Sequence, residues 1–449
     1  MAITQSTILD LVDHYSQDLA TAQSETETLD SWYRGTNERP WMPSRSSAEY
    51  RELQERAYTP WLGLVVTAVA QSLYVEGYRR ADDTDESPVW GVWQANGMDA
   101  RQIAIHRGAL AHGVAYATVL PGRINGENMP VIRGVSARKM ITLWANPGDD
   151  EWPMYALRSD TVSSLSGNDT TRYKLYDDQD VHTVDRVGGK LEYITSDHHG
   201  VGVCPIIQYS AMSDLDGRVM SDIEALIPVA ARIDQDTFDR LIVQRFGSWV
   251  VRTISGMEMP ETNDEMHAAK LKLRVEDILV SESQDTKFGT LPGTPLDGYI
   301  SARDSDIRDL AAVSQTPPHH LLGQMANLSA EALAAAEASL TRKVAERQHV
   351  FGEAHEQTLR LASELMGIPG DPSAEVRWRD MESRSLAQAA DALGKIAQML
   401  NVPVQLLWEK IPGWTQEDVE RAKSLYTESD AMSRLFDSLA QSATPPEGT

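Results

Sequence analysis

A chain of 449 residues has room for roughly two to four domains, and its 41% hydrophobic and 24% charged residues are those of an ordinary folded protein. The formal net charge is -25, whereas a protein that grips DNA by neutralising phosphates is basic at least locally, so this chain either avoids nucleic acid or has a reason not to stick to it. Cys204 is the only cysteine, which excludes an intrachain disulfide, fits a reducing compartment and reads as a small buried hydrophobe beside Val203 and Pro205.

In chain order, Ile8, Leu11, Val12, Tyr15 and Leu19 recur at helical spacing and predict a helix over 3–34. Arg39-Pro40-Trp41-Met42-Pro43 breaks it. The first residues lack the basic and apolar regions of a signal peptide. The best apolar run, Trp61 to Leu73, is shorter than the about 20 residues a bilayer needs and reads as a buried helix. A soluble, cytoplasmic chain with no membrane partner is expected. Asp82 to Ser87 is an acidic loop, and helices are expected over 89–96 and 99–113, split by Asn96-Gly97, with Asp99 as N-cap of the second. From Val114 to about Tyr209 short strands dominate, among them 115–120, 139–145, 154–158, 172–177 and 190–195. The expectation is an α+β domain with a meander-like sheet.

Residues 218–246 return to helix, with an apolar stripe of Ile223, Leu226, Ala230, Ile233 and Leu241. Pro228 should kink that helix or begin a new one. Its other face alternates in sign through Arg232, Asp234, Asp236, Asp239, Arg240 and Arg245. That face reads either as a solvated surface laced with ion pairs or as a helix packed beside copies of itself in a ring. Strands at 249–255, 277–283 and 286–291 surround a short helix at 264–273, in a piece too small for an independent core. Helix is expected again over 304–313, ended by Thr316-Pro317-Pro318.

A long helix should start at an N-cap Ser329, with Glu331 in its first turn, and stop at Gly367 with Pro369 behind it. Its length would be roughly 55 Å, so neighbours must support it. Further helices are expected over 386–400, 404–410 and 416–440, and Thr444 to Thr449 as a disordered tail.

Chemical signatures are sparse. No stretch matches a P-loop: Gly188-Gly189-Lys190 is followed by Leu191 and lacks the upstream glycine. Gly200-Val201-Gly202 has no third glycine at the offset of a dinucleotide site. Asp214-Leu215-Asp216-Gly217 fails the register of a calcium loop, because Glu224 falls one residue late, and reads as a turn. The pairs His198-His199 and His319-His320 are adjacent and should point in different directions, so no metal site is expected. No catalytic residue and no cofactor is expected, although scattered carboxylates leave little local signature.

Four stretches carry a resemblance. One is Asn96-Gly97-Met98-Asp99-Ala100-Arg101-Gln102 with His106 and Gly113-Val114-Ala115-Tyr116. A second runs from Ser221-Asp222-Ile223-Glu224 through Ile227-Pro228 to Gln244-Arg245-Phe246. The third is Thr316-Pro317-Pro318-His319-His320-Leu321-Leu322-Gly323. The last is Asn327-Leu328-Ser329-Ala330-Glu331-Ala332-Leu333, leading to Lys343 and Phe351-Gly352. Their order and spacing over nearly the whole chain resemble the tailed-bacteriophage portal proteins, the family that includes the portals of siphophages infecting Gram-positive hosts.

The resemblance implies a ring of identical subunits, usually twelve, at one capsid vertex of the virion, assembled in the bacterial cytoplasm. Double-stranded DNA would be packaged and ejected through its channel without sequence specificity. It implies a wing at 1–217, a stem helix at 218–246, a clip at 247–298, a second stem helix at 299–314, a channel loop at 315–329, a long helix returning through the wing at 330–382 and a crown with a tail at 383–449. Within these, His319, His320, Gln324, Met325 and Asn327 would lie closest to DNA, unless the segment is an ordinary helix–helix turn. Arg232, Asp234, Asp236, Asp239, Arg240 and Arg245 would meet neighbouring subunits. Arg252, Lys270, Lys272 and Arg274 would meet an acidic partner. The implied partners are terminase, the head-tail connector or adaptor, and the major capsid and scaffold proteins. Two other readings remain open, another oligomeric virion protein (scaffold-like or head-completion) and a carboxylate-dependent nuclease or hydrolase.

Overall fold

The helix expected at the start runs over Gln5–Arg34 (α1). Thr4 caps it by accepting from the Thr7 amide at 3.3 Å, and Gly35 ends it in the left-handed region. The computed structural model describes residues 3–44, 46–79, 88–162, 170–247, 252–255, 287–290, 294–323, 330–379, 386–414 and 418–427. Ala48–Arg56 (α2) follows, then Trp61–Ala70 (α3), Val75–Arg79 (β1), Pro88–Ala95 (α4) and Met98–His112 (α5). The strands are Val114–Ile124 (β2), Glu127–Ser136 (β3), Met140–Leu143 (β4), Tyr155–Val162 (β5), Thr170–Tyr176 (β6), Asp180–Val187 (β7), Lys190–His198 (β8), Ile206–Ser210 (β9), Met212–Ser213 (β10) and Val219–Met220 (β11). Next come Ile227–Gly247 (α6), Arg252–Ser255 (β12), Lys287–Thr290 (β13), Asp297–Ser314 (α7), Pro318–Leu322 (α8) and Ala330–Leu365 (α9). Glu375–Trp378 (β14), Leu386–Leu400 (α10), Val404–Leu407 (α11) and a helix over 418–427 complete the order. The class is α+β, as expected.

Three expectations are corrected. Asp99 is not the N-cap of α5. Gly97 holds that position in the left-handed region, and Asp99 sits in the first turn, where its carboxylate accepts from Trp93 Nε1 at 3.0 Å. The helix expected from Arg218 begins only at Ile227. Before it, β10 and β11 pair across a turn in which Asp214 Oδ1 accepts from the amides of Asp216 and Arg218, and a 3-10 turn covers Glu224–Leu226. Pro228, with no amide hydrogen to lose, suits the first turn of α6. The strand region forms two sheets rather than one: a three-stranded sheet ordered β3-β2-β9 and a five-stranded meander β4-β5-β6-β7-β8.

The contacts divide the chain into two units. The larger comprises Met1–Asn37, Pro60–Ile227 and Ala311–Thr449. Inside it, Val114, Tyr116, Met140, Ala156, Cys204 and Ile206 bury one core cluster drawn from both sheets. Ile8, Val12 and Leu19 of α1 lie against Leu157, Leu175 and Val184 of the meander. β1 pairs antiparallel with β14, a ladder closed over about three hundred residues, Tyr78 opposite Val376. α5 passes into β2 through Gly113 alone, at φ 85°, where a Cβ would lie 3.1 Å from the Met220 backbone.

Buried polar side chains join these elements. Asn96, at the end of α4, accepts from the Ile132 amide and donates to the Pro130 carbonyl of β3. Gln102 of α5 accepts from the Val75 amide and donates to its carbonyl, fixing β1. His106, one turn further on, meets His355 of α9 at 2.8 Å. All three are 2% exposed or less, so each bond they make is shielded from water, and each would leave an unsatisfied group if broken. The first resemblance stretch is therefore a set of internal joints.

The smaller unit comprises Glu38–Thr59 and Pro228–Leu310. Leu53 of α2 and Ala57 just after it bury against Phe238 of α6, and Tyr50 stacks on Phe246 with ring centroids 4.9 Å apart. Arg303 of α7 donates to Thr237 of α6 at 3.3 Å. β12 and β13 pair as an antiparallel ladder, Arg252 opposite Thr290. The strand expected over 277–283 and the short helix over 264–273 lie outside the described residues.

Candidate functional site

The turn between α7 and α9 is held by α9 itself. Gln315 adopts the left-handed region (φ 57°), and the Thr316 amide returns to the Ala311 carbonyl. Pro317-Pro318 then starts the short helix α8, which Gly323 closes at φ 65°. Lys343 Nζ donates to the Ser314 carbonyl at 3.2 Å. From α8, both His319 and His320 reach Glu337 of α9, with Nε2 to Oε1 distances of 2.8 and 3.1 Å. The expectation that adjacent histidines diverge is thus corrected: the rings stand edge to face, centroids 4.6 Å apart, and converge on one carboxylate oxygen.

Below that turn lies a buried charge cluster. Asp222 binds Lys343 and Arg347 at 2.9 Å each, and the three side chains are 2%, 8% and 5% exposed. Arg347 also pairs with Glu346 at 2.8 Å. Lys343, Arg347, Phe351 and His355 follow one another at spacings of four, which puts them on one face of α9. That spacing is the signal by which sequence reasoning could have found two buried cations, since they share a stripe with Phe351. Glu337 had no such signal; only the fold of α8 onto α9 singles it out.

The same face ends in a relay. His355 Nδ1 lies 3.0 Å from the Tyr209 hydroxyl, which lies 2.8 Å from Thr358 Oγ1, and Thr358 donates to the Ala354 carbonyl. Because the Thr358 proton is committed, Tyr209 must donate to Thr358 and accept from His355 Nδ1–H. His355 Nε2 is then bare and accepts from His106 Nε2–H. This pattern assigns both tautomers. Burial drives the His106 pKa down to about 4 against the Leu73 backbone, and burial followed by the neighbouring His106 holds His355 well below the ordinary range.

The residues expected at subunit contacts lie along α6 and do not behave alike. Arg232 bridges Asp306 at 2.8 Å and Asp309 at 3.1 Å on α7. Asp236 is pushed upward, by burial first and then by the carboxyl of Asp306. Asp239 accepts from Gln235 at 3.1 Å, and Arg240 donates to Gln244 at 3.2 Å. Arg245 lies in the last turn of α6. Asp234 does not belong to an exposed face. It is 3% exposed and accepts from the Thr59 amide at 3.2 Å, so the alternating-sign face has a gap where the sequence showed a charge. Arg252 sits on β12. Gln324, Met325, Asn327, Lys270, Lys272, Arg274 and the N-cap position Ser329 lie outside the described residues.

A second cluster, Asp177, Asp180 and His182, closes the turn between β6 and β7. Asp177 accepts from the amides of Gln179 and Asp180 and pairs with His182 at 3.1 Å. Burial acts to raise its pKa, but the His182 bond and then those two amides outweigh it and bring the carboxyl down to about 2. The Cys204 thiol is 2% exposed and burial pushes its pKa up, which leaves little nucleophilic thiolate. Among the described residues, no helix is long and apolar enough to cross a membrane.

The family model described as "Phage portal protein, SPP1 Gp6-like" matches residues 12–431. The chain is 29% identical over 363 residues to the portal protein of Mycobacterium phage D29, covering 76% of this chain and 72% of that one. It is 28% identical over 369 residues to the portal protein of Mycobacterium phage L5, covering 77% and 74%. A chain of the solved structure "Neck of native GTA particle computed with C12 symmetry" matches with a TM-score of 0.49 at 13% identity, covering 82% of this chain and 91% of that one.

Proposed function

We propose a function from one premise: this chain belongs to the SPP1 Gp6-like family of phage portal proteins. Portal proteins are structural components of the virion, and the role proposed is structural rather than catalytic. Identical subunits close into a ring, twelve in number, at one capsid vertex, and double-stranded DNA passes through the central channel during packaging and ejection. Terminase docks on the ring first and the head-tail connector later, with major capsid and scaffold proteins around it.

The family match over most of the chain is the observation that carries this reading. Two physical features support it. The net charge of -25 suits a conduit, because a ring multiplies every channel-facing carboxylate and such a wall repels phosphates rather than binding them. The C-terminal helices also expose Met399, Leu400, Val404, Leu406, Leu425 and Tyr426. Apolar surface of that extent is what a second copy of the chain would cover.

Within the ring, the part played by each segment is as follows. Residues 1–217 and 330–382 form the wing with its returning helix. Residues 218–246 and 299–314 form the stem, and 247–298 the clip, whose Arg252, Lys270, Lys272 and Arg274 meet terminase or connector. The loop at 315–329 presents His320, Gln324, Met325 and Asn327 toward DNA, with its base fixed by Glu337 and Lys343, while His319, 9% exposed, is turned back onto Glu337. Residues 383–449 form the crown. Arg232, Asp236, Asp239, Arg240 and Arg245 line the contact between stems, while Asp234 supports α6 from inside its own subunit.

The test is packaging in vitro. Proheads assembled with this chain should protect DNA from nuclease when terminase and ATP are added, and proheads assembled without it should not. Equal protection in both would overturn the proposal.

A further inference from the structure

We propose that His319, His320 and Glu337 form a binding site for one divalent transition-metal ion of the zinc class, tying the short helix α8 to the long helix α9. The donor set is two imidazoles and one carboxylate, which suits zinc, cobalt and nickel far better than magnesium or calcium. Geometry comes next. An ion about 2.1 Å from each of two ligand atoms keeps those atoms about 3.0 Å apart at a right angle and about 3.4 Å apart at the tetrahedral angle. The two imidazole nitrogens lie 2.8 and 3.1 Å from the Glu337 oxygen, and all three donor atoms lie within 4.8 Å of one another, so side-chain adjustment alone can close them on one ion.

The ligands are also held in advance. Glu337 stands on a 36-residue helix. The chain entering α8 is tethered to that same helix by Lys343 on the Ser314 carbonyl and by Ser339 on the Gln315 carbonyl. Little conformational freedom is therefore left to lose on binding. The His319 side chain is 9% exposed, while His320 and Glu337 are about a third exposed at 35% and 32%, which leaves a hydrated ion a way in and room for water at the remaining positions. The other histidine-carboxylate cluster makes the contrast. Asp177 spends its oxygens on two backbone amides and His182, so that turn is satisfied as it stands. At Glu337, both partners are imidazoles and neither is a backbone amide, so all three groups can turn to a common ion.

The site is complete within one chain, and its failure would leave the portal reading untouched. The test is titration of the purified full-length chain with Co2+ alone, followed by its visible d–d absorption, and then displacement by Zn2+. One saturable ion per chain is expected. His320→Ala and Glu337→Gln should each weaken it by at least about tenfold. Glu337→Gln keeps the shape and a hydrogen-bond acceptor, so it reports on ligation even if His320→Ala fails to fold. Absence of a saturable site would overturn the proposal and leave a hydrogen-bonded clamp only. Unchanged binding in both variants would overturn it too, since the ion would then belong to others of the 11 histidines.

Discussion

His106 and His355 face each other Nε2 to Nε2 at 2.8 Å in the core, and only one proton fits between them. The unfolded chain takes up a proton on each ring as pH falls through about 6.5, while folded His106 resists until about 4. In that window the unfolded state binds more protons, so the stability present above about 6.5 is lost as pH falls toward 4. For His106 the linkage amounts to about 3 kcal/mol. The melting temperature should therefore drop steeply between those values. His106→Gln, which keeps a neutral hydrogen-bonding group, should start lower at pH 7 and lose less on acidification. Parallel curves for the two proteins would refute the assignment. Asp177 acts in a lower window, since its folded pKa of about 2 makes its contribution vanish only as pH falls toward that value.

The buried trio of Asp222, Lys343 and Arg347 should respond asymmetrically. Asp222→Ala strands two cations away from water and is expected to cost about 3–5 kcal/mol. Lys343→Met leaves the Arg347–Asp222 pair intact and should cost clearly less. Urea unfolding of the three proteins decides it; equal losses would mean that the trio does not act as one electrostatic unit.

The stem charges separate folding from assembly. Arg240→Glu combined with Arg245→Glu reverses two charges on α6, where Arg240 donates to Gln244 of the same helix. Chain stability should change little, whereas ring formation should be lost if these side chains meet another subunit. A fall in melting temperature with rings intact would assign them to the subunit's own fold.

For the loop, deleting Gln324–Asn327 should reduce packaged DNA while preserving ring assembly. Packaging at the wild-type level would remove the loop from the mechanism.

Periodic segments were legible in the sequence. α1 follows its apolar spacing, with Ile8, Val12 and Leu19 buried, because a helix buries one stripe and shows the rest to water. What stayed hidden depends on partners distant in sequence. β1 and β14 are short and mean nothing apart from each other. The false helix start at Arg218 had the right composition, but Asp214 captured two amides and turned the chain into a hairpin first. Of the candidate site, His319 and His320 were visible as a pair. Their convergence on Glu337 was not, because it is set by how α8 returns to α9 rather than by any local pattern. Asp234 looked like its charged neighbours, and only the Thr59 amide distinguishes it.

The most direct test of the portal reading is mass photometry of the purified chain with negative-stain imaging over a range of concentrations. The expected result is closed rings of about twelve subunits with a central hole, as ring-forming head-to-tail interfaces require. A monomer that persists at every concentration, with capsid and scaffold proteins present, would contradict it.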